Sequence, residues 1–148
     1  ELALWCDLRV MEETAYLGVY CRRWGVPLID GGTVRLPRLV GQGRALDMVL
    51  TGRRVDASEC LRIGACDRVV PEGKSRAAAE ALASEIAGFP FECLRADRRS
   101  VYHQDGRGLA DAMRFEWENG IGAFSSEGRE GARRFAAGHG RHGRFDDV

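Results

Sequence analysis

Lysine is nearly missing from this chain. Lys74 stands alone among 22 lysines and arginines. With 19 glycines and abundant alanine, that bias points to a G+C-rich bacterial gene, which concerns codons rather than chemistry. Neither sign of charge is in excess, because 22 basic residues meet 22 acidic ones. A net charge of zero argues against nucleic acid as the main partner. Long apolar runs are absent. None approaches the ~20 residues of a bilayer span, so no membrane partner is expected. The five cysteines, Cys6, Cys21, Cys60, Cys66 and Cys93, form no C-x-x-C pair. Zinc and dithiol redox motifs therefore have no support. Free thiols in a reducing cytoplasm are the expectation. His103, His139 and His142 lack metal-ligand spacing with acidic partners, so no metal site is expected. Gly31-Gly32-Thr33 is not a phosphate loop, since no G-K-[ST] follows it.

What is present suits a folded domain. The chain has 148 residues, 45% of them hydrophobic, enough for a sizeable core. Glu1 to Cys6 reads as a short helix. Asp7 to Val10 and Ala15 to Val19 have strand character, with the charged pair Glu12-Glu13 between them. Asp30 is placed to N-cap a helix that runs through Leu39 and closes near Gly41. Arg44 to Leu50 is helical, with Gly52 at its end. Asp56-Ala57-Ser58-Glu59 has capping-box spacing and starts a helix ending near Gly64. Asp67 to Val70 reads as a strand stopped by Pro71.

Beyond about residue 73 only helices are expected. Lys74 to Ala87 is Ala-rich and ends at Gly88 and Pro90. Phe91 to His103 forms the next helix. Leu109, Met113, Trp117, Gly120/Ile121 and Phe124 then share one face at helical period. Ser126 is placed to cap a last helix before Gly138. The Gly-rich tail from Gly138 to Val148 is expected to fray.

Four blocks fall in order along the first half. They are Glu1-Leu2-Ala3-Leu4-Trp5-Cys6-Asp7, then Gly31-Gly32-Thr33-Val34-Arg35-Leu36-Pro37-Arg38-Leu39-Val40-Gly41. Ala45 to Gly52 and Gly64 to Pro71 follow. The series resembles the crotonase family, the enoyl-CoA hydratases and isomerases, closely to Pro71 and loosely beyond. The resemblance implies an α/β fold. Residues 1–72 would be the end of a ββα spiral core, and residues 73–148 a helical region that packs on neighbouring subunits. A homotrimer or dimer of trimers is implied. It further implies that the chain matches the C-terminal half of such an enzyme and opens inside a motif. The glycine run that helps hold the thioester oxygen would precede Glu1, and the chain alone would be inactive and poorly stable. The implied substrate is an acyl-CoA thioester, with no separate cofactor.

The resemblance also assigns residues. Glu1 matches the first of two catalytic glutamates; its plainer reading is a carboxylate favoured at a helix start. Cys21 falls where hydratases carry the second glutamate. Either the chemistry is altered, or Cys21 is a small residue lining an acyl pocket. Asp30, in Ile29-Asp30-Gly31-Gly32, is similar to the aspartate-glycine-glycine turn of naphthoyl-CoA synthases, which also lack the second glutamate. It is a substitute carboxylate, a helix cap, or both. Arg22, Arg23, Trp24 and Leu28 are candidates for acyl or CoA contact, against a solvated loop with one anchored aromatic. His139 or Arg141 could contact CoA in the tail. Three functions stay open. One is hydration or isomerisation with Glu1 as principal acid/base. The second is acyl-CoA or subunit binding without turnover. The third is C–C bond formation or cleavage using Asp30.

Overall fold

The computed structural model describes residues 1–140 and 142. Two compact units are formed, Glu1–Ala83 and Ser84–Val148. Of the tail expected to fray, residues 141 and 143–148 lie outside the described residues.

The first unit opens with a 3-10 turn, Leu2–Trp5. Strands β1 (Val10–Glu12) and β2 (Tyr16–Leu17) follow, then a 3-10 turn at Tyr20–Trp24. Next come helices α1 (Gly32–Val40) and α2 (Gln42–Thr51), strand β3 (Val55–Asp56), helix α3 (Ala57–Ile63) and strand β4 (Arg68–Val70). β1 pairs parallel with β4, Met11 opposite Val69. β2 pairs antiparallel with β3, Leu17 opposite Val55.

The first strand sits later than the pattern suggests. Glu12, expected between strands, lies within β1. Met11 enters the core at 8% exposure. Glu12 is satisfied from outside the strand, where its Oε1 accepts from the Ser75 hydroxyl at 2.7 Å. Asp7 is not in the strand; instead Arg9 N–H donates to Asp67 Oδ2 at 2.7 Å and the Arg9 guanidinium pairs with the same carboxylate. β3 has two residues, too few to show a period, yet Val55 is fully buried.

The core gathers Met11, Leu36, Val40, Met48, Val55, Cys60 and Ile63. Cys60 and Cys66 are buried, and all five cysteines are free. Burial pushes the Cys60 thiol up to about 11 and raises Cys66 as well. Both act as small apolar packers rather than nucleophiles.

The Asp56 cap forms as expected: Oδ1 accepts from Glu59 N–H at 2.8 Å and from the Ser58 hydroxyl at 2.8 Å. Glu59 does not return the bond. It is drawn to Arg53, which it meets at 2.6 and 2.8 Å, while Arg53 also holds Asp47 at 2.6 Å. This cluster ties α2 to α3. The Glu59 N–H bond, then the Ser58 hydroxyl, hold the Asp56 carboxyl below its ordinary range. Arg53 does the same for Glu59, and the Ser75 hydroxyl for Glu12. A carboxyl depressed in the folded state contributes stability above its unfolded value, and that contribution is lost as pH falls through the folded value. The denaturation midpoint should therefore hold from about pH 7 to 5 and drop below about pH 4. Asp56→Asn keeps a capping oxygen without the titrating charge, so its acid decline should be shallower. An equally steep decline would rule Asp56 out as a contributor.

In the second unit, α5 spans Phe91–His103 and α6 spans Leu109–Ala123. Helix α4 (Ser75–Ala87) precedes them, and among the described residues no strand follows β4. Asn119 locks α6 to α5 by donating to Ala96 O at 2.6 Å and the Ser100 hydroxyl at 3.0 Å. His103 stacks on Phe115 at 3.5 Å. Ser126 caps nothing. The helix continues through a wider π turn, Phe124–Gly128, into α7 (Arg129–Ala137). Ser126 Oγ donates back to the Gly122 and Ala123 carbonyls, so the helix never breaks and its amides need no cap.

Candidate active site

The first turn of a helix presents amides without intrahelical acceptors. At α1 the expected acceptor was Asp30. The structure assigns the task to Glu1. Its Oε1 accepts from Gly32 N–H at 2.7 Å and from Asp30 N–H at 3.1 Å. Gly31 occupies the cap position at φ 96°, in the left-handed region. Asp30 therefore stands one residue too early to reach the first-turn amides, and its own N–H becomes a donor. Its side chain is exposed and makes no hydrogen bond among the described residues.

Two glycines make this approach possible. Gly31 supplies the positive φ. At Gly32 a Cβ would lie 2.7 Å from Glu1 Oε1 and 2.9 Å from its Cγ. Successive amides around a left-handed residue form a concave anion seat, and the Glu1 carboxylate fills it with one oxygen. Oε2 accepts no hydrogen bond among the described residues.

Two residues that the sequence reading did not single out complete the cluster. Trp5 Nε1 donates to Asp30 O at 2.8 Å. The Arg35 guanidinium lies 3.6 Å from the centre of the Trp5 ring. Trp5 follows Glu1 by four residues on a run that the sequence reads as a helix, a spacing that would put both on one side of an α-helix, although the segment forms a 3-10 turn. That was the available signal.

The other candidates lie apart from this cluster in their bonding. Cys21 is half-buried in the Tyr20–Trp24 turn, and its carbonyl accepts from Val26 N–H. Arg22 Nε donates to Val49 O at 2.9 Å, which fastens that turn to the end of α2. Arg23 lies over the Tyr20 ring. Trp24 is 82% exposed and Leu28 half-buried. Among the described residues, no side-chain hydrogen bond joins Cys21, Trp24 or Leu28 to the Glu1 seat. Hydrogen bonding thus joins Glu1 to the Asp30 main chain, and among the described residues none joins Cys21 to either. His139 is exposed, and Arg141 lies outside the described residues. No group of three or more metal-binding side chains occurs among the described residues. No helix there is long and apolar enough to cross a membrane.

Comparison with known proteins places this geometry in context. The family profile described as enoyl-CoA hydratase/isomerase matches residues 1–140. A probable enoyl-CoA hydratase of Rhizobium meliloti (strain 1021) is 36% identical over 93% of this chain and 54% of its own length. Another, from Mycobacterium bovis, is 33% identical over 86% of this chain and 49% of its own. Among solved structures, an enoyl-CoA hydratase from Bacillus anthracis superposes with a TM-score of 0.85 at 31% identity. That match covers 92% of this chain and 53% of the other. The chain spans about half the length of the curated relatives it matches.

Proposed function

The chain belongs to the enoyl-CoA hydratase/isomerase family, and on that premise we propose that the full-length protein acts on acyl-CoA thioesters. The reaction class is enolate chemistry, either water addition to a 2-enoyl thioester or a proton shift along it. Backbone N–H donors stabilise the enolate oxygen, at about 3–4 kcal/mol per donor in comparable sites. No resident cofactor is invoked; CoA belongs to the substrate. A reducing cytoplasm is the compartment this reading favours.

The observation that carries the proposal is the seating of Glu1. Oε1 is held by two amides, and Oε2 is left to meet water or a substrate proton. Fixing a carboxylate by one oxygen orients the other, which is what general acid–base catalysis needs. Asp30 is the proposed second carboxylate, because its exposed side chain stands on the residue whose amide holds Glu1. Cys21 is proposed to line the acyl pocket, since a thiol transfers protons poorly where a carboxyl is required. Trp24 and Leu28 remain the proposed acyl contacts. Arg22 is proposed as a CoA contact through its terminal guanidinium nitrogens, since its Nε is engaged by Val49 O. Incubating the full-length protein with crotonyl-CoA should give a product one water heavier by mass spectrometry. Tight CoA binding without any product would instead favour the non-catalytic reading.

Subunit contact is proposed for the second unit. Leu109, Met113, Trp117 and Phe124 on α6 are 77%, 59%, 69% and 67% exposed. A groove of about 530 Å³ runs along Met113, Trp117, Ile121 and Phe124. Apolar area of this kind calls for a partner surface, and a trimer is the proposed assembly. Trp117→Glu in the full-length protein should shift the species seen by light scattering toward the monomer. A wild-type protein that is already monomeric at micromolar concentration would end this proposal.

A further inference from the structure

The seat that holds Glu1 is built by backbone, and backbone turns need something to hold them. Three atoms must converge: Asp30 N and Gly32 N on one side, Glu1 Oε1 on the other. The peptide between Asp30 and Gly31 lies in the middle. Its orientation decides whether the flanking amides point at Glu1. That peptide's carbonyl is Asp30 O, and Trp5 Nε1 donates to it at 2.8 Å. The indole also packs over Gly31, where a Cβ would lie 3.4 Å from the ring.

The indole is itself held. Arg35 sits 3.6 Å from the ring centre and donates to Leu4 O at 3.4 Å. Its backbone N–H makes the ordinary first-turn helix bond to Gly31 O at 2.8 Å, so it is the guanidinium that braces the ring. Glu1 precedes one 3-10 turn and Trp5 ends it, while Asp30 precedes α1 and Arg35 lies in its first turn. The two segments meet through a carboxylate at one end and an indole at the other.

From this geometry we infer that Trp5 and Arg35 are positioning residues. They fix the Asp30–Gly31 peptide so that its neighbouring amides seat the Glu1 carboxylate. Neither is assigned contact with substrate. The effect on rate rests on the function proposed above, and the effect on the seat does not.

The test uses the full-length protein and two readouts. Trp5→Phe removes the Nε1–H donor and keeps an aromatic ring for Arg35. Arg35→Met keeps length and removes the cation. The first readout is the Gly32 amide proton in spectra of glycine-labelled protein. A short bond to a carboxylate moves it downfield. In Trp5→Phe it should move upfield as that bond lengthens, and Arg35→Met should move it the same way. The second readout is turnover. A misplaced catalytic group costs up to about 10²-fold in rate. Accordingly, kcat should fall between about 10- and 100-fold in Trp5→Phe, with KM unchanged. A wild-type Gly32 resonance in both variants, wild-type kcat, or a change in KM alone overturns the inference. A wild-type protein that turns over no acyl-CoA defeats the functional proposal instead. The Gly32 resonance then decides the inference by itself.

Discussion

Glu1→Gln in the full-length protein should lower turnover by about 10²–10⁴-fold, the usual contribution of a general acid–base group. The substitution is unusually clean here. The Gln side-chain carbonyl can still accept from Gly32 N–H and Asp30 N–H, as Oε1 does. The seat therefore survives, and folding should be unchanged by circular dichroism. Only the second oxygen changes, from a proton acceptor to an amide nitrogen. Cys21→Ala should cost much less. Cys21 is half-buried and free, and no hydrogen bond ties it to the seat. Asp30→Asn is the informative third variant. The Asp30 side chain does not cap α1, so its loss of charge should leave stability alone. A fall in rate comparable to that of Glu1→Gln would make Asp30 the second carboxylate and open C–C bond chemistry. Measurement of kcat/KM for the three variants on a panel of acyl-CoAs decides among these outcomes. Loss confined to Cys21→Ala, with Glu1→Gln at wild-type rate, would overturn the assignment of Glu1.

Much of this fold was legible because its punctuation is local. Gly88 and Pro90 separate α4 from α5, and the latter spans Phe91–His103 as read from the sequence. Gly52 and Gly64 close their helices in left-handed conformation. Asp56 caps α3 because its acceptor and donor lie three residues apart. Two of the misreadings share one physical cause, long-range pairing, and the third is local. Asp30 satisfies every local rule for a cap, yet a carboxylate 31 residues from Gly32 takes the position. Glu12 looks like a strand breaker until Ser75, 63 residues away, satisfies it. Ser126 looks like a cap until the helix on either side proves continuous. Glu1 itself was legible only through the ordered motifs. Spacing alone could not show that it faces Gly31-Gly32, and Trp5 and Arg35 carry no motif of their own.

Gly32→Ala should separate activity from stability at the same turn. Local energetics favour the substitution, since alanine in a helix is better than glycine by roughly 0.5–1 kcal/mol. Gly32 has no positive φ to strain. The obstacle is Glu1, whose Oε1 would lie 2.7 Å from the new Cβ and its Cδ 3.1 Å. A flexible side chain resolves such a clash by swinging away, at little cost to the fold. The swing breaks the 2.7 Å bond that seats the carboxylate. Turnover should then fall by up to about 10²-fold, while the thermal midpoint stays near wild type. Gly31→Ala should behave in the opposite sense. Its φ of 96° is strained for any side chain, at a cost of about 1–3 kcal/mol. Its midpoint should drop whether or not the protein turns over substrate. Both variants are read by thermal denaturation and by steady-state rates on the same acyl-CoA. If Gly32→Ala kept wild-type kcat, Glu1 would not need its seat, and the carboxylate would be acting from elsewhere or not at all. If it lost stability as Gly31→Ala does, the contact between Gly32 and Glu1 would hold the fold together rather than aim a catalytic group.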